Sequence, residues 1–348
     1  MKPSDFNPGV NMSRLVTKFV LAGVCAIGAF TASASAQNLK FAVFVSDTER
    51  VYLDVMKPFV ANVNREAEGV IKIDLFPNGT LGRNPAQQAQ MVLDGVADIA
   101  WVVASYTPGR FRENEILQLP GVFRDLNEAT AISSKLVSEG FIKDFDDYFV
   151  IGFFGSEPYS IHSRKPINSL ANVKGQKFRT SAALEASALR GLDAVPVSIS
   201  ITELPEAISR GTVDGTTMYA SALFDFGLDR VTSHHYRMGV GSVPLAILMN
   251  RKKFDSLPDK AKAVIRKYSG KWTADLYSSE VTRYNDEMWK RLSADPKRTV
   301  VVPSAADAAR ASAVFKTVNA EWAARSPRNK ELLGILEREL SAYRQTHK

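Results

Sequence analysis

Residues 39–45 form a short apolar run of strand length, and after Ser46-Asp47-Thr48-Glu49, which has the composition of a helix start, apolar side chains recur at helical spacing. Val51, Tyr52, Val55, Met56, Phe59 and Val63 make one face of a helix that ends by Gly69. Residues 70–76 then alternate Ile71, Ile73 and Leu75 against Lys72 and Asp74, a half-buried strand closed by the turn Pro77-Asn78-Gly79. A helix over 85–94 and a strand over 97–103 follow. This alternation of strand and helix predicts a parallel or mixed sheet covered by helices. Beyond an irregular stretch, residues 127–141 read as helix, and 148–154 as an apolar strand without alternation, the pattern of a sheet buried on both faces.

Gly155-Ser156-Glu157-Pro158 breaks the pattern and marks a crossing into a second lobe, where the unit repeats. Strands are predicted at 176–180, 195–198 and 213–219, with helices at 183–190 and 203–210 between them. Residues 239–250 carry the chain back to the first lobe. One helix over 258–292 spans about 50 Å at 1.5 Å per residue, long enough to cross both lobes. A short strand at 300–302 and helices over 305–347, broken near Ser326-Pro327, complete the chain. The fold class is α/β. The expected divisions are a first lobe over 37–156, a second over 157–244, a return to the first over 245–284, and the remainder of the second lobe with the C-terminal helices over 285–348.

The amino terminus carries a different pattern. Arg14 and Lys18 precede an apolar run over 19–30, and small residues lead to Ala34-Ser35-Ala36 before Gln37. That is a cleavable secretory signal over residues 1–36, too short in its apolar part for a permanent membrane helix of about 20 residues. Either Met1 or Met12 serves as its start. The only cysteine, Cys25, lies inside it, and the residues before it lack the small side chain that precedes a lipid-modified cysteine. The mature chain therefore has no disulfide, no thiol nucleophile and no cysteine metal site. Its expected place is the periplasm, without stable membrane insertion. The formal charge of +7 includes Lys2, Arg14 and Lys18 against Asp5, which leaves about +5 after cleavage. The basic residues are scattered without interleaved aromatics, which excludes a nucleic-acid stripe; mild positive charge suits an anionic small ligand.

No catalytic constellation is present. His162, His234, His235 and His347 make no metal-binding or triad spacing, and the sequence has no nucleophile elbow, phosphate-binding loop or dinucleotide fingerprint. Asp94 and Asp98 are placed where solvation is their role. No cofactor or metal is expected. An exported, two-lobed α/β chain of this kind fits a solute receptor that closes about a hinge. Its candidate anchor is Arg179, on a short strand after the turn at Gly175; a guanidinium matches a carboxylate with two parallel hydrogen bonds and keeps its charge at any relevant pH. By itself such an arginine is more often solvated or paired with a glutamate. Glu49 and Ser105 belong to segments that follow strand ends, where α/β sheets bind ligands.

Five segments in order, Phe76-Pro77-Asn78-Gly79-Thr80-Leu81-Gly82, Asp94-Gly95-Val96-Ala97-Asp98-Ile99, residues 170–180, residues 203–215 closing on Val213-Asp214-Gly215, and residues 249–258, give the chain a family resemblance over 38–330. It resembles the substrate-binding proteins of tripartite ATP-independent periplasmic (TRAP) transporters, of the dicarboxylate-binding type. The resemblance implies two α/β lobes joined by crossing strands, a long helix across both, and Arg179 as the ligand-carboxylate arginine. It also implies delivery to an ion-gradient-driven membrane permease; a monomer is the default expectation. The sequence departs from the family pattern where Tyr159 replaces a second cleft arginine, where Ile201 stands in place of an aromatic residue, and where Met218, followed by Tyr219, replaces a polar residue. Each change removes polarity, so a monocarboxylate with an apolar or aromatic body is expected rather than a C4-dicarboxylate. A receptor for an ATP-driven importer, or a sensing module for a kinase, remains the alternative.

Overall fold

The computed structural model describes residues 36–347. The expected signal segment before Ala36, with Met1, Met12 and Cys25, lies outside the described residues. Strands β1 (Gln37–Ala42), β2 (Ile71–Phe76), β3 (Ile99–Val103) and β4 (Tyr148–Gly155) belong to the first sheet. The second holds β5 (Ser160–Ser163), β6 (Lys177–Thr180), β7 (Val195–Ser198), β8 (Gly215–Met218) and β9 (His234–Tyr236). Strand β10 (Pro244–Asn250) returns to the first sheet, as expected, and β11 (Thr299–Val301) joins the second.

The first sheet runs β2-β1-β3-β10-β4. Its first three strands are parallel, and β10 is antiparallel to both neighbours because the chain re-enters from the other lobe. The central strands β3 and β10 carry no charge and are buried almost throughout, which is why their sequences show no alternation. The second sheet runs β11-β9-β5-β8-β6-β7, with β6 parallel to β7 and β8. Two glycines shape the region that positions Arg179. Gly175 takes a φ of +73° and donates its N–H to the Asp193 carbonyl at 2.8 Å, making the turn before β6. At Gly215 a side chain would meet the His162 carbonyl oxygen, so β8 lies against β5 only because that position is glycine.

Helices α1 (Lys57–Glu66, after a π-helical turn over Tyr52–Met56), α2 (Gln88–Leu93) and α3 (Leu126–Ser138) cover the first sheet. In the second lobe α4 (Ala183–Gly191) follows β6, α5 (Leu204–Ser209) precedes β8, and α6 (Ala220–Asp225) follows it. The short α7 (Arg251–Asp255) and α8 (Asp259–Lys267) come after β10. Helix α9 is Lys271–Ala294, so the single helix expected over 258–292 is divided. Gly270, with φ +60°, turns the chain and gives its N–H to the Ile151 carbonyl, anchoring the break to β4. The 24 residues of α9 span about 36 Å. They still cross both lobes: Thr273 bonds the Ile151 carbonyl of β4, and Asn285 accepts the Ser221 N–H of α6.

The lobes join through two paired crossing segments. The Ser242 hydroxyl donates to the Ser156 carbonyl, the Ser156 hydroxyl accepts the Val243 N–H, and the Tyr159 N–H donates to the Gly241 carbonyl at 2.7 Å. Residues 285–348 are expected with the second lobe, yet the end of the chain bridges both. Helix α10 (Ala305–Ala324) packs on α4, while α11 (Pro327–Thr346) packs on α3. Leu332, Leu336 and Leu340 enter the apolar cluster around Leu136 and Phe145, and Arg344 pairs with the buried Glu128.

Behind β8 the fold buries a histidine pair. His162 Nε2 lies 3.2 Å from the Met218 carbonyl, so it is the donor, and its Nδ1 accepts from His235 Nδ1 at 2.8 Å. The remaining His235 Nε2 is buried without a partner among the described residues. Burial holds both rings neutral, with His162 lowered to about 4 and His235 to about 2. The unfolded chain takes up these protons below pH 6.5, so stability conferred by the pair is intact above that value and falls as the pH drops toward 4. Each ring should contribute a loss of about 2 kcal/mol between pH 7 and 5. Replacing both by phenylalanine should flatten the pH dependence of urea unfolding by that amount per ring. An unchanged slope in the double variant counts against the assignment.

Candidate ligand-binding cleft

Between the sheets lies a narrow cavity of about 40 Å³, next to a roomier one of about 460 Å³. Arg179 reaches it from β6, where Phe178 faces the core and Arg179 the opposite side. Arg179 is 2% exposed. Its Nε donates to the Ile199 carbonyl at 3.0 Å and its Nη2 to the Tyr106 hydroxyl at 3.2 Å, with the guanidinium 5.9 Å from the centre of the Tyr106 ring. Tyr106 follows β3, so this contact joins the two lobes. Three of the five guanidinium N–H groups keep no protein partner among the described residues. Burial disfavours the charge, but Tyr106, Glu185 and Tyr159 outweigh it and hold the group above the ordinary arginine range.

Glu185, on α4, is the carboxylate whose field reaches Arg179. It accepts the Ser181 N–H and hydroxyl, both at 2.7 Å. Burial pushes its carboxyl up to about 7, against the opposing pull of Arg179. The walls beyond Arg179 are aromatic. Tyr159 stacks on Tyr219 at 5.9 Å, and Tyr277 on Phe154 at 4.4 Å.

Of the residues singled out in the sequence, Arg179, Tyr159, Met218, Tyr219, Ile201 and Glu49 line this cavity. Ser105 does not; it faces an adjoining cavity that shares Arg179, Tyr106 and Ile201 with the first. Both Ser105 and Tyr106 belong to the 3-10 turn over Ala104–Tyr106 that ends β3, and of the two only Tyr106 reaches both cavities. Trp101 is buried and also lines the cavity. Arg50, Asp225, Tyr277 and Tyr284 were not singled out. Tyr277, Val281 and Tyr284 follow i, i+4, i+7 spacing on α9, a face that periodicity alone identifies as buried. Arg50 pairs with Asp54 at 2.5 Å, and Tyr284 donates to Asp225 at 3.3 Å. Among the described residues no group of three His, Cys, Asp or Glu side chains is placed to hold a metal ion.

The sequence profile described as bacterial extracellular solute-binding protein, family 7 (DctP) matches residues 41–326. The chain belongs to this family. It is 25% identical to a solute-binding protein of Sulfitobacter sp. strain NAS-14.1 over 241 residues, which is 68% of this chain and 73% of that one. Among solved structures it resembles a marine-metagenome TRAP solute-binding protein specific for aromatic acids, in complex with 3-hydroxybenzoate. The TM-score is 0.84 at 28% identity, over 89% of this chain and 99% of that one. A TRAP solute-binding protein of Rhodoferax ferrireducens T118 with copurified benzoate shares the fold, with TM-score 0.83 and 23% identity over 89% and 99% of the two chains. The two lobes, the crossing strands and the long helix of this family member are those of a TRAP substrate-binding protein.

The raised carboxyl of Glu185 makes a stability test. Below about pH 4.5 it is protonated in folded and unfolded chains alike. As the pH rises to 7 only the unfolded chain ionises, so the folded state loses about 3 kcal/mol across that window. Glu185→Gln keeps an acceptor for Ser181 and removes the titration. Its melting temperature should exceed that of the wild type at pH 8, with the gap closing by pH 5. A gap independent of pH counts against the assignment.

Proposed function

We propose that the protein is an exported receptor that captures a monocarboxylate with an apolar or aromatic body in the periplasm and delivers it to a TRAP permease. It acts as a monomer and leaves the ligand chemically unchanged. The observation that carries this is the distribution of charge along one cavity. Arg179 offers unpaired donors at one end. Elsewhere the cavity is lined by Glu49, Asp225 and Arg50, and Arg50 is already paired with Asp54, so a second ligand carboxylate there finds two acids and an arginine that has an acidic partner. Aromatic rings in its wall match a ring or a short apolar chain. The aromatic acid held by the 28% identical structure supports the same class. Among the described residues no helix is long and apolar enough to cross a membrane, in keeping with a receptor that meets its permease from outside the bilayer.

Closing the lobes removes water from the pair formed by Arg179 and the ligand, and truncating one partner of a buried charge pair costs about 2 to 5 kcal/mol. With benzoate as the probe, calorimetry should show Arg179→Ala binding weaker by about 30-fold to several thousandfold. Arg179→Lys, which keeps the charge but loses the fork, should also bind poorly. Undiminished affinity in Arg179→Ala, or tighter binding of succinate than of every monocarboxylate in a thermal-shift panel, refutes the proposal.

A further inference from the structure

Glu49 is 6% exposed and lines the cavity, and its carboxyl takes part in no hydrogen bond or ion pair among the described residues. Among other buried acids, Glu128 is satisfied by Arg344 and the Arg124 N–H and Asp214 by Lys165 and the Lys177 N–H, while Glu185 has one oxygen bonded to Ser181 and the other without a partner. Buried polar side chains are almost always hydrogen-bonded, so a carboxyl with neither oxygen bonded, in the wall of a cavity, calls for a partner that enters it. The charge that acts on Glu49 is that of Asp225 rather than Arg179, which puts it in a polar group separate from the anchor. Asp225 is itself occupied by Tyr284 and faces Arg50. Beside Glu49, Tyr277 is 1% exposed, lines the same cavity, and has a hydroxyl without a protein partner among the described residues. Its ring is fixed by stacking on Phe154, and Glu49 is fixed at the start of the π-helical turn, its carbonyl accepting the Leu53 N–H.

We infer that this end of the cavity is a recognition site for a hydroxyl group, exchanging hydrogen bonds with the Glu49 carboxyl and the Tyr277 hydroxyl, so that the ligand is a hydroxy-substituted aromatic monocarboxylate. The inference rests on the binding of an acid at Arg179 proposed above. A hydroxyl both donates and accepts, and so does each of the two groups facing it when Glu49 holds a proton. Burial and Asp225 push the Glu49 carboxyl well above the usual range, which favours that form. An ammonium group, which only donates, matches the pair less well.

The test is calorimetry on the purified protein with benzoate, 3- and 4-hydroxybenzoate, 3-hydroxyphenylacetate, phenylacetate and 3-(aminomethyl)benzoate. At least one hydroxy acid should bind about 10- to 100-fold more tightly than the same acid without its hydroxyl. Glu49→Met should abolish that preference, read as the ratio of hydroxy-acid to parent-acid affinity within the variant, with an unchanged circular dichroism spectrum and a cooperative melt showing that the variant is folded. Glu49→Gln, which can still donate and accept, should keep most of the preference, and Tyr277→Phe should reduce it. The inference is overturned if hydroxy acids gain nothing over their parents, if the preference survives in Glu49→Met, or if the ammonium probe binds most tightly. Failure of every acid to bind overturns it together with the proposal on which it rests, whereas binding of benzoate through Arg179 with no hydroxyl preference removes the inference alone.

Discussion

An arginine 2% exposed between two sheets is the constraint on which the cleft depends. Taking an ion out of water costs several kcal/mol in a real protein unless good partners replace the water. Around Arg179 the chain supplies one carbonyl, one hydroxyl and the field of Glu185, whose own burial favours the protonated form. These keep the charge tolerable without forming an ion pair. In the proposed binding mode an incoming carboxylate completes what the protein leaves open, where surrounding water has been reduced to little and the same interaction is stronger than at a surface.

That arrangement also couples binding to shape. Arg179 belongs to the second lobe and Tyr106 to the first, so one hydrogen bond of the anchor forms only when the lobes are together. The serine-containing crossing segments and α9, bonded at Thr273 to one lobe and at Asn285 to the other, connect the lobes. Tyr277 and Tyr284 project from that same helix into the cavity. The element that ties the lobes therefore also forms part of the wall.

Much of this was legible in the sequence because long elements have unmistakable periods. The β-α-β-α-β order of both lobes, the return of β10 and the break at Ser326-Pro327 follow from apolar spacing and turn residues. What escaped notice was short or locally ambiguous. Strands β5 and β9 have four and three residues, and β9 consists of His234, His235 and Tyr236, which no hydrophobic pattern marks as strand. Helix α6 has six residues and takes its place from packing on α9. The interruption at Gly270 lies within helical periodicity that continues on both sides, and a single glycine does not reveal whether it bends a helix or ends it. Here the Ile151 carbonyl on β4 decides, a contact across more than a hundred residues of chain.

The cleft was legible on its anchor side and not on its far side, for an electrostatic reason. From the sequence, a single acid group was inferred because Tyr159 stands where a second arginine would be. The structure does bring a second arginine to the cavity, Arg50, from a segment whose composition reads only as a helix start. Counting arginines would then favour a dicarboxylate. Counting what each arginine is paired with does not: Arg50 holds Asp54 four residues on and faces Asp225, while Glu49 adds a further acid. A cation already matched by a neighbouring acid gives a second anion little net attraction, and the other acids beside it, whose burial favours the protonated form, add no positive charge to hold one. The proposed specificity for one acid group thus depends less on the residue at 159 than on the acids around Arg50, a property of the folded neighbourhood that no single sequence position displays.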